Sequence, residues 1–294
     1  MQVIVFSKRI KTKDIPFVQE LFDILAEYQI YAYVHKPYFD QINGKINFKT
    51  DVGVFDGYID FSVKKFDFLI TLGGDGTILE AITHIRDYQV PILGINLGRL
   101  GFLATIEKTK IRNSIEKLRR DMYSIDSRSL LYLESNLPLF EKTPFALNDF
   151  TILKRDTSSM ITIHTYVNGS YLNSYWADGL IVSTPTGSTG YSLSCGGPII
   201  FPGSGNFIIT PVAPHNLNVR PIVISDESVI SFEIEGRNEN FLCTLDSRFE
   251  TITAAHQLAI RKNNFDVKLV NFQDTNFQDT LHLKLNWGQD MRND

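Results

Sequence analysis

The apolar pattern of the chain changes near residues 121–125, and no other feature constrains the fold as strongly. Before the change, β-branched runs alternate with segments of helical spacing. A run over 66–72 is followed by a helical pattern over 78–86 and a further run over 91–96. Strand, helix and strand at this spacing are typical of parallel βαβ units. Residues 1–123 are therefore predicted to form an α/β domain around a parallel, Rossmann-like sheet.

After the change, the apolar runs are short, rich in β-branched residues and separated by turn signals such as Asn168-Gly169. This spacing is typical of an all-β sandwich or barrel. We predict a sandwich-like β domain over residues 124–268 and a C-terminal tail, 269–294, that docks back on the N-terminal domain. The tail repeats the sequence NFQDT over 271–280, which we interpret as an insertion in a loop, without chemistry.

The composition excludes several classes of protein. The chain has 294 residues, 29 of them basic and 33 acidic, and a formal net charge of −4, so it lacks the basic footprint of a nucleic-acid-binding domain. No run of about 18 apolar residues occurs, so no membrane span is expected. The two cysteines, Cys195 and Cys243, have neither disulfide-framework nor zinc spacing. We therefore predict a cytoplasmic protein with reduced thiols, no protein-held metal, and no nucleic-acid or membrane partner.

The strongest chemical signal is the segment DFLITLGGDGTILE, residues 67–80, in which a buried strand runs into Gly-Gly-Asp-Gly and then into a helix. Glycines let the backbone approach a ligand closely, and a helix N-terminus favours an anion, so this segment is typical of a phosphate site. A carboxylate between the glycines repels phosphate, but it suits a proton acceptor or a metal contact. From these residues alone, the alternative stays open that Asp75 caps a helix after a tight turn.

Two further segments carry polar side chains that suit a nucleotide. In ALNDF, Asn148 and Asp149 offer a donor, an acceptor and a carboxylate for ribose hydroxyls, although Asn-Asp is also a common turn. The segment ADGLIVSTPTGSTGYSLSCGGP, residues 177–198, is dense in hydroxyls, and Tyr191 supplies an aromatic face. A loop without a ligand is the alternative interpretation of this segment.

The segment PVAPHNLNVRPIV, residues 211–223, contains His215 and Arg220 beside three prolines. His215 is either a base or, as we favour, a side chain that holds an irregular loop together by hydrogen bonds. Arg220 reaches either a phosphate or an internal carboxylate.

Five motifs occur in the order seen in the NAD kinase family, and together they resemble it. They are GGDGT at 73–77, GINLGRLGFL at 94–103, ALND at 146–149, DGLIVSTPTGSTGYSLSCGGPI at 178–199 and APHNLNVRPIV at 213–223. The GGDGT motif is shared with lipid kinases and resembles phosphofructokinase motifs, whereas the long motif at 178–199 is more specific. The resemblance covers residues 67–249.

The resemblance implies an α/β, phosphofructokinase-like N-terminal domain and a β-rich, NAD-binding C-terminal domain. It also implies ATP-dependent phosphorylation of the adenosine ribose 2′-hydroxyl of NAD to give NADP, with Mg²⁺ or another divalent cation, in a homo-oligomer (dimer or tetramer). By the same resemblance, Asp75 is the proton acceptor. The implied NAD contacts are Asp75, Gly76, Asn148, Asp149, Asp178, Thr189, Gly190, Tyr191, Ser192, Leu193, Ser194 and Ala213, and the phosphate contacts are Gly73, Gly74, Gly76 and Thr77.

The sequence departs from the family pattern at four of these or neighbouring positions. Asp149 replaces the more usual Glu, and Gly190 replaces a frequent Ala. Trp176 stands where many relatives have Arg near the ligand, and Arg248 stands where Gln is frequent.

Two rival functions use the same residues differently. A lipid kinase of the diacylglycerol type shares the Gly-Gly-Asp-Gly turn, but it needs an apolar entrance or an interfacial helix, and the loop at 184–197 is polar. A module that only binds NAD or ATP needs no carboxylate at Asp75, because binding phosphate gains nothing from it.

Overall fold

The computed structural model describes residues 1–58, 64–155, 159–237, 239–272 and 276–285. It divides into two compact units. The first combines Met1–Ser127 with Val267–Asp294, and the second is Arg128–Asp266. The last three residues of the first NFQDT copy and the end of the tail, 286–294, lie outside the described residues.

The first unit is an eight-stranded, mostly parallel sheet packed with helices. Its strand order is β3-β2-β1-β4-β5-β20-β7, and β6 pairs with β5. The strands are β1 (Gln2–Phe6), β2 (Tyr31–His35), β3 (Gly53–Phe55), β4 (Phe68–Leu72), β5 (Ile92–Asn96), β6 (Ile106–Glu107), β7 (Ser124–Arg128) and β20 (Val267–Asn271). The helices are α1 (Ile15–Glu27), α2 (Lys36–Ile42), α3 (Asp75–Ile85), α4 (Ile111–Arg119) and, near the C-terminus, α6 (Phe277–Leu285).

The central strands β4 and β5 are buried along their whole length. Their residues are nearly all apolar, as expected for parallel strands covered on both faces. Side chains of α1 and α4 join this core through residues such as Leu21 and Ile115. The sheet and its helices confirm the predicted α/β class for the N-terminal part of the chain.

Two strands join this sheet from beyond the change in pattern. β20 runs parallel to β5, with Leu269 opposite Ile92, and β7 pairs next to β20. The sequence assigned β7 to the β-rich region, because a polar five-residue strand carries no signal for its pairing partner. The predicted domain boundaries after residues 123 and 268 stay predictions.

The second unit contains two six-stranded antiparallel sheets. One has the order β15-β14-β13-β10-β17-β18 and the other β12-β11-β16-β19-β8-β9. The strands are β8 (Leu131–Ser135), β9 (Phe145–Ala146), β10 (Asp149–Lys154), β11 (Ile161–Val167), β12 (Ser170–Ala177), β13 (Gly179–Ser183), β14 (Asn206–Val212), β15 (Ile222–Ser225), β16 (Ile230–Glu235), β17 (Phe241–Leu245), β18 (Arg248–Ile252) and β19 (Leu258–Lys262). The short helix α5 (Tyr191–Ser194) follows β13.

A single apolar core lies between these two sheets, as in other sandwiches. Phe150 on β10 and Phe232 on β16 meet there with their ring centroids 5.5 Å apart. The predicted sandwich-like fold of the second part is therefore confirmed. No helix among the described residues is long and apolar enough to cross a membrane.

Candidate functional site

A cavity of about 370 Å³ lies in the first unit, where β1, β4 and β5 end. The chain order of the sheet reverses beside β1, with β2 on one side and β4 on the other. In open α/β sheets, ligands bind at the carboxyl ends of the strands where this reversal occurs. The residues predicted to bind phosphate, Gly73, Gly74, Gly76 and Thr77, all line this cavity.

The turn between β4 and α3 is shaped by its glycines. The N–H of Gly73 donates to the carbonyl of Ile95 at 2.9 Å, which ties the turn to β5. A Cβ atom on Gly73 would lie 2.1 Å from the Thr77 hydroxyl, so no larger residue fits there. Gly74 is the N-cap of α3 and Asp75 is its first residue, without a side-chain capping bond. The structure therefore does not support the alternative interpretation, in which the Asp75 side chain caps the helix.

The carboxylate of Asp75 instead binds the loop after β5. Its Oδ2 accepts the N–H of Phe102 at 2.8 Å, and its Oδ1 accepts those of Leu103 at 3.1 Å and Ala104 at 2.9 Å. A Cβ atom on Gly101 would lie 1.8 Å from Oδ1, so this approach requires glycine at 101. The motifs at 73–77 and 94–103 are thus joined through one carboxylate.

The second unit places Asn148 and Asp149 at the start of β10 and holds them through Asp246. Asp246 occupies the turn between β17 and β18 with a left-handed φ of 53°. Its carboxylate accepts the N–H groups of Leu147 at 3.0 Å, Asn148 at 2.7 Å and Asp149 at 3.3 Å. Its own N–H donates to the carbonyl of Asp149 at 2.9 Å.

The carboxyl of Asp149 is strongly perturbed by its surroundings. Burial, and then the nearby Asp246 carboxylate, raise the pKa of Asp149 to about 7, although a hydrogen bond from Thr151 acts in the opposite direction. Tyr191 lies near enough to Asp149 and Asp178 for both carboxylates to raise its pKa, after the larger effects of burial and Cys195. The two carboxylates themselves lie at opposite ends of the β10–β13 pair, because Asp149 is opposite Ser183 and Gly179 is opposite Leu153.

Asp178 lies at the bend between β12 and β13. Its carboxylate is 2.5 Å from the ammonium group of Lys154, and its N–H donates to the carbonyl of Val212 at 3.0 Å. The second bond places the predicted Ala213 next to Asp178. Ala213 itself is exposed and has a left-handed φ of 44°, an unusual conformation for a residue with a side chain.

The loop after β13 is fixed on the Asn148 segment by close backbone contacts. The Thr184 N–H donates to the carbonyl of Asn148 at 2.9 Å, and its hydroxyl donates to that of Leu147 at 2.5 Å. A Cβ atom on Gly187 would lie 2.1 Å from the Asn148 carbonyl oxygen. Further along, Ser192 is buried and its hydroxyl lies 2.8 Å from that of Thr210.

The remaining predicted residues of this loop have different exposures. Gly190, Tyr191 and Ser194 are exposed, whereas Thr189 and Leu193 are half-buried. Of the predicted NAD contacts here, Ser192 is therefore the one engaged inside the protein, and the others are available to a ligand.

The two residues that depart from the family pattern have clear local partners. The Arg248 guanidinium donates to the carbonyl of Thr143 at 2.6 Å and to that of Phe145. Its hydrogen bonds therefore stabilise the main chain of the protein. Trp176 is half-exposed, and its ring lies 4.2 Å from that of His215, centroid to centroid.

The loop after β14 is held by the main chain of His215 and by the side chain of Arg220. The main-chain N–H of His215 donates to the carbonyl of Trp176 at 2.9 Å. The Arg220 guanidinium donates to the carbonyls of Leu217 at 2.5 Å and Val219 at 2.9 Å. Arg220 therefore contacts backbone oxygens rather than the internal carboxylate considered from the sequence.

Three features of these sites were not found from the sequence. Asp246 looks like an ordinary polar turn residue, and Lys154 like an ordinary charged strand end. The basic run after β1, which contributes Lys8, Arg9 and Lys11 to the cavity, is visible in the sequence. Its position directly after a buried strand was the signal that could have revealed it.

Two family models match the chain: the ATP-NAD kinase N-terminal domain over residues 3–123 and the ATP-NAD kinase C-terminal domain over 147–272. The chain is 48% identical to the NAD kinase of Cytophaga hutchinsonii over 284 residues, which are 96% of this chain and 97% of that protein.

Two solved structures share the fold. The crystal structure of yeast NADH kinase complexed with NADH has a TM-score of 0.90 at 21% identity, and covers 100% of this chain and 89% of that one. The crystal structure of an NAD kinase from Archaeoglobus fulgidus in complex with ATP has a TM-score of 0.75 at 25% identity, and covers 97% of this chain and 99% of that one. The sequence relationship spans both parts of the protein, and the chain therefore belongs to the NAD kinase family of phosphotransferases.

Proposed function

We propose that the protein transfers the γ-phosphoryl group of ATP to the 2′-hydroxyl of the adenosine ribose of NAD and so forms NADP. The observation that carries this proposal is the turn at residues 73–77. Its glycines line a cavity rich in basic side chains, and a carboxylate, Asp75, stands between them in the chain. The Cytophaga relative bears the name NAD kinase, and the Archaeoglobus enzyme was crystallised with ATP.

In the proposed reaction, the ribose oxygen bonds to the γ-phosphorus while the bond from that phosphorus to the β,γ-bridging oxygen breaks. ADP leaves with the electron pair, and the hydroxyl proton passes to Asp75. Transfer of this kind depends mainly on positioning and charge neutralisation. Asp75 Oδ2 accepts only one main-chain N–H, whereas Oδ1 accepts two. Since a carboxylate oxygen has two lone pairs, Oδ2 can take the proton while Oδ1 stays bound to the loop.

On the second unit, we propose that NAD is held by the predicted residues around β10 and β13. The carboxylates of Asp149 and Asp178 suit ribose hydroxyls, and Asn148 offers both a donor and an acceptor. The exposed ring of Tyr191 suits stacking on a base. Thr189, Gly190, Ser192, Leu193, Ser194 and Ala213 would complete the contacts on this unit.

We further propose that Mg²⁺ or another divalent cation enters with the phosphates of ATP. Within the described residues, no group of three or more His, Cys, Asp or Glu side chains is placed to hold a metal ion. Mg²⁺ is commonly bound through one or two carboxylates together with substrate phosphates, so it does not require such a group. Bound in this way, the cation would neutralise charge at the phosphates. Addition of EDTA should abolish turnover, and excess Mg²⁺ should restore it.

One assay tests the reaction against its rivals. The protein is incubated with ATP, Mg²⁺ and NAD, and NADP is detected with an NADP-specific dehydrogenase. A parallel reaction uses NAD with a 2′-deoxyadenosine moiety, which has no acceptor hydroxyl and should give no product. Absence of NADP with phosphorylation of diacylglycerol instead would support a lipid kinase. Binding of NAD without any product would support a binding module.

We also propose that the protein is a cytoplasmic homo-oligomer. The second unit exposes large apolar side chains such as Leu217 (82% exposed) and Phe249 (69% exposed), and exposed apolar surface is typical of association. Both cysteines are free thiols, as expected in a reducing compartment. Sedimentation equilibrium should give a dimer or a tetramer, and fractionation of the source cells should place the protein with cytoplasmic markers.

A further inference from the structure

The second NFQDT copy, residues 276–280, starts a helix rather than forming a loop. Asn276 directly precedes α6, and its side-chain oxygen accepts the N–H of Asp279 at 2.7 Å, which is the hydrogen bond of a helix N-cap. The helix has nine residues, and a helix of this length is marginal on its own in water. Its stability therefore depends on the surface against which it packs.

One face of α6 packs on the protein. Thr280 and Leu281 are buried and Phe277 is half-buried, whereas residues 278, 279, 282 and 283 are exposed. Phe277, Thr280, Leu281 and Lys284 have the spacing i, i+3, i+4 and i+7, which places them on one side of a helix. This side of α6 is therefore the one that docks the end of the described chain.

The docked face holds an aromatic ring of the loop after β5. The Phe277 ring lies 6.1 Å from the Phe102 ring, centroid to centroid. The Lys284 ammonium lies 5.1 Å from the centroid of the same Phe102 ring. Aromatic pairs and cations over an aromatic ring are both attractive contacts. Two residues of α6, seven positions apart, thus restrain one side chain of the loop.

Phe102 connects this contact to the carboxylate of the glycine turn. Its main-chain N–H donates to Asp75 Oδ2 at 2.8 Å. The loop between β5 and β6 is irregular, so no ladder of strand hydrogen bonds fixes the direction of this N–H. Because the ring and the N–H belong to one residue, restraining the ring limits the movement of the N–H.

We propose that Phe277 is a positioning residue for phosphoryl transfer, because it holds the Phe102 ring and so keeps the Phe102 N–H on Asp75. This inference rests on the proposed function, in which Asp75 Oδ2 takes the proton of the ribose hydroxyl. Phe277 acts through Phe102 and not by contact with a substrate. A small displacement of a reacting group costs much in rate, so the effect of Phe277 falls on kcat rather than on KM.

The repeat supplies a matched control for this role. Phe272 is the equivalent residue of the first NFQDT copy, but it belongs to the apolar core, and the Lys117 ammonium of α4 lies 5.2 Å from its ring centroid. Phe277→Leu should lower kcat by about tenfold, with KM for ATP and for NAD within about twofold of the wild type. Phe272→Leu should lower the melting temperature more, because Phe272 is buried, and keep kcat within about twofold. Phe277→Tyr keeps the ring and should have the kcat of the wild type. NADP detection below the melting temperature of each variant measures these values.

Hydrogen exchange of the ligand-free protein measures the hold on the loop without turnover. The amides of residues 102–104 should exchange about fivefold faster or more in Phe277→Leu and at the wild-type rate in Phe272→Leu. Equal losses of kcat in the two leucine variants, a low kcat in Phe277→Tyr, or unchanged exchange at 102–104 in Phe277→Leu would overturn the positioning role. Absence of NADP with the wild type, together with faster exchange in Phe277→Leu, would instead refute the reaction and support the hold of α6 on this loop.

Discussion

Two aspartates, one in each unit, hold segments with predicted ligand contacts in the same way. Asp75 accepts the N–H groups of residues 102–104, and Asp246 accepts those of 147–149. Three successive N–H groups form a concave nest that favours an anion. Each carboxylate thereby fixes a loop next to predicted ligand contacts without depending on a salt bridge.

We expect Asp75 to act mainly on the chemical step, and much less on the binding of NAD. Replacement by Asn leaves the size unchanged but removes the charge and the proton acceptor. We expect kcat to fall by about 10²-fold or more, with KM for NAD changed by less than about threefold. Steady-state kinetics with NADP detection measure both values.

The matched control is Asp67→Asn. Asp67 also accepts a main-chain N–H in the same unit, from Gln2 at 2.7 Å, but it precedes β4 and lies outside the glycine turn. It should keep normal turnover. Near-normal kcat in Asp75→Asn would rule out a proton-accepting role, and a fall in melting temperature alone would leave Asp75 as a loop anchor.

Asp149 should make stability depend on pH in the unusual direction for a carboxyl group. Its pKa is raised from 3.8 to about 7 in the folded protein, first by burial and then by Asp246. Between these values the folded state keeps a proton that the unfolded chain has released, so stability falls as pH rises through this window. The loss amounts to about 4 kcal/mol at most. Urea unfolding from pH 5 to 8 should show this slope, and Asp149→Asn should reduce it.

The buried Asp246 also has a raised pKa, caused by burial, so part of the slope should remain in Asp149→Asn. If Asp149→Asn unfolds with the same pH dependence as the wild type, the carboxyl of Asp149 is ionised in the folded protein and this account of the region is wrong.

At the scale of single residues, the sequence identifies a candidate site residue when its type is chemically unusual at that position. Asp75 stands out because a carboxylate between glycines is unexpected at a phosphate site. Asp246 does not stand out, since an aspartate at the end of a strand is common in turns. Its role depends on a contact with residues about 100 positions earlier, and spacing along the chain carries no information about such a contact.

At the scale of elements, the loop after β5 and helix α3 are fitted to each other. Alanine at Gly101 would place its Cβ atom 1.8 Å from Asp75 Oδ1, so either the loop or the carboxylate must move. We expect Gly101→Ala to lower the unfolding free energy by about 1–3 kcal/mol. Chemical denaturation of the ligand-free protein measures this loss.

Gly76→Ala is the matched comparison, because a Cβ atom at this helical position meets open space. It should be neutral or should stabilise the protein by up to about 1 kcal/mol, as alanine does in helices. Equal destabilisation by both changes would contradict the fit of loop and helix.

Strands and helices with a strong apolar pattern can be predicted from the sequence. The strands that they pair with cannot. The strands Phe68–Leu72 and Ile92–Asn96 fall where the apolar runs over 66–72 and 91–96 place them. Pro37 lies in the first turn of α2, directly after β2, a position that suits its fixed φ. That β7 and β20 join the first sheet follows from pairing between distant segments, for which local patterns carry no signal.

At the scale of the whole molecule, each unit has its own apolar core and its own group of predicted ligand contacts. The basic cavity belongs to the first unit, and Asp149, Asp178 and Tyr191 belong to the second. Anionic phosphate and dinucleotide should therefore protect different parts of the chain.

Hydrogen exchange with mass spectrometry measures this division. A ligand at 100 times its Kd adds about 2.7 kcal/mol to the free energy of any opening that abolishes binding, and so slows exchange of the amides involved by about 100-fold. Inorganic triphosphate should slow exchange at residues 72–77 and 97–104, and NAD should slow it at 147–151 and 178–194. A Lys11→Gln/Lys13→Gln double variant, which removes two basic side chains that line the cavity, should weaken the first effect and keep the second. Protection by inorganic triphosphate confined to the second unit would contradict the assignment of donor and acceptor to the two units.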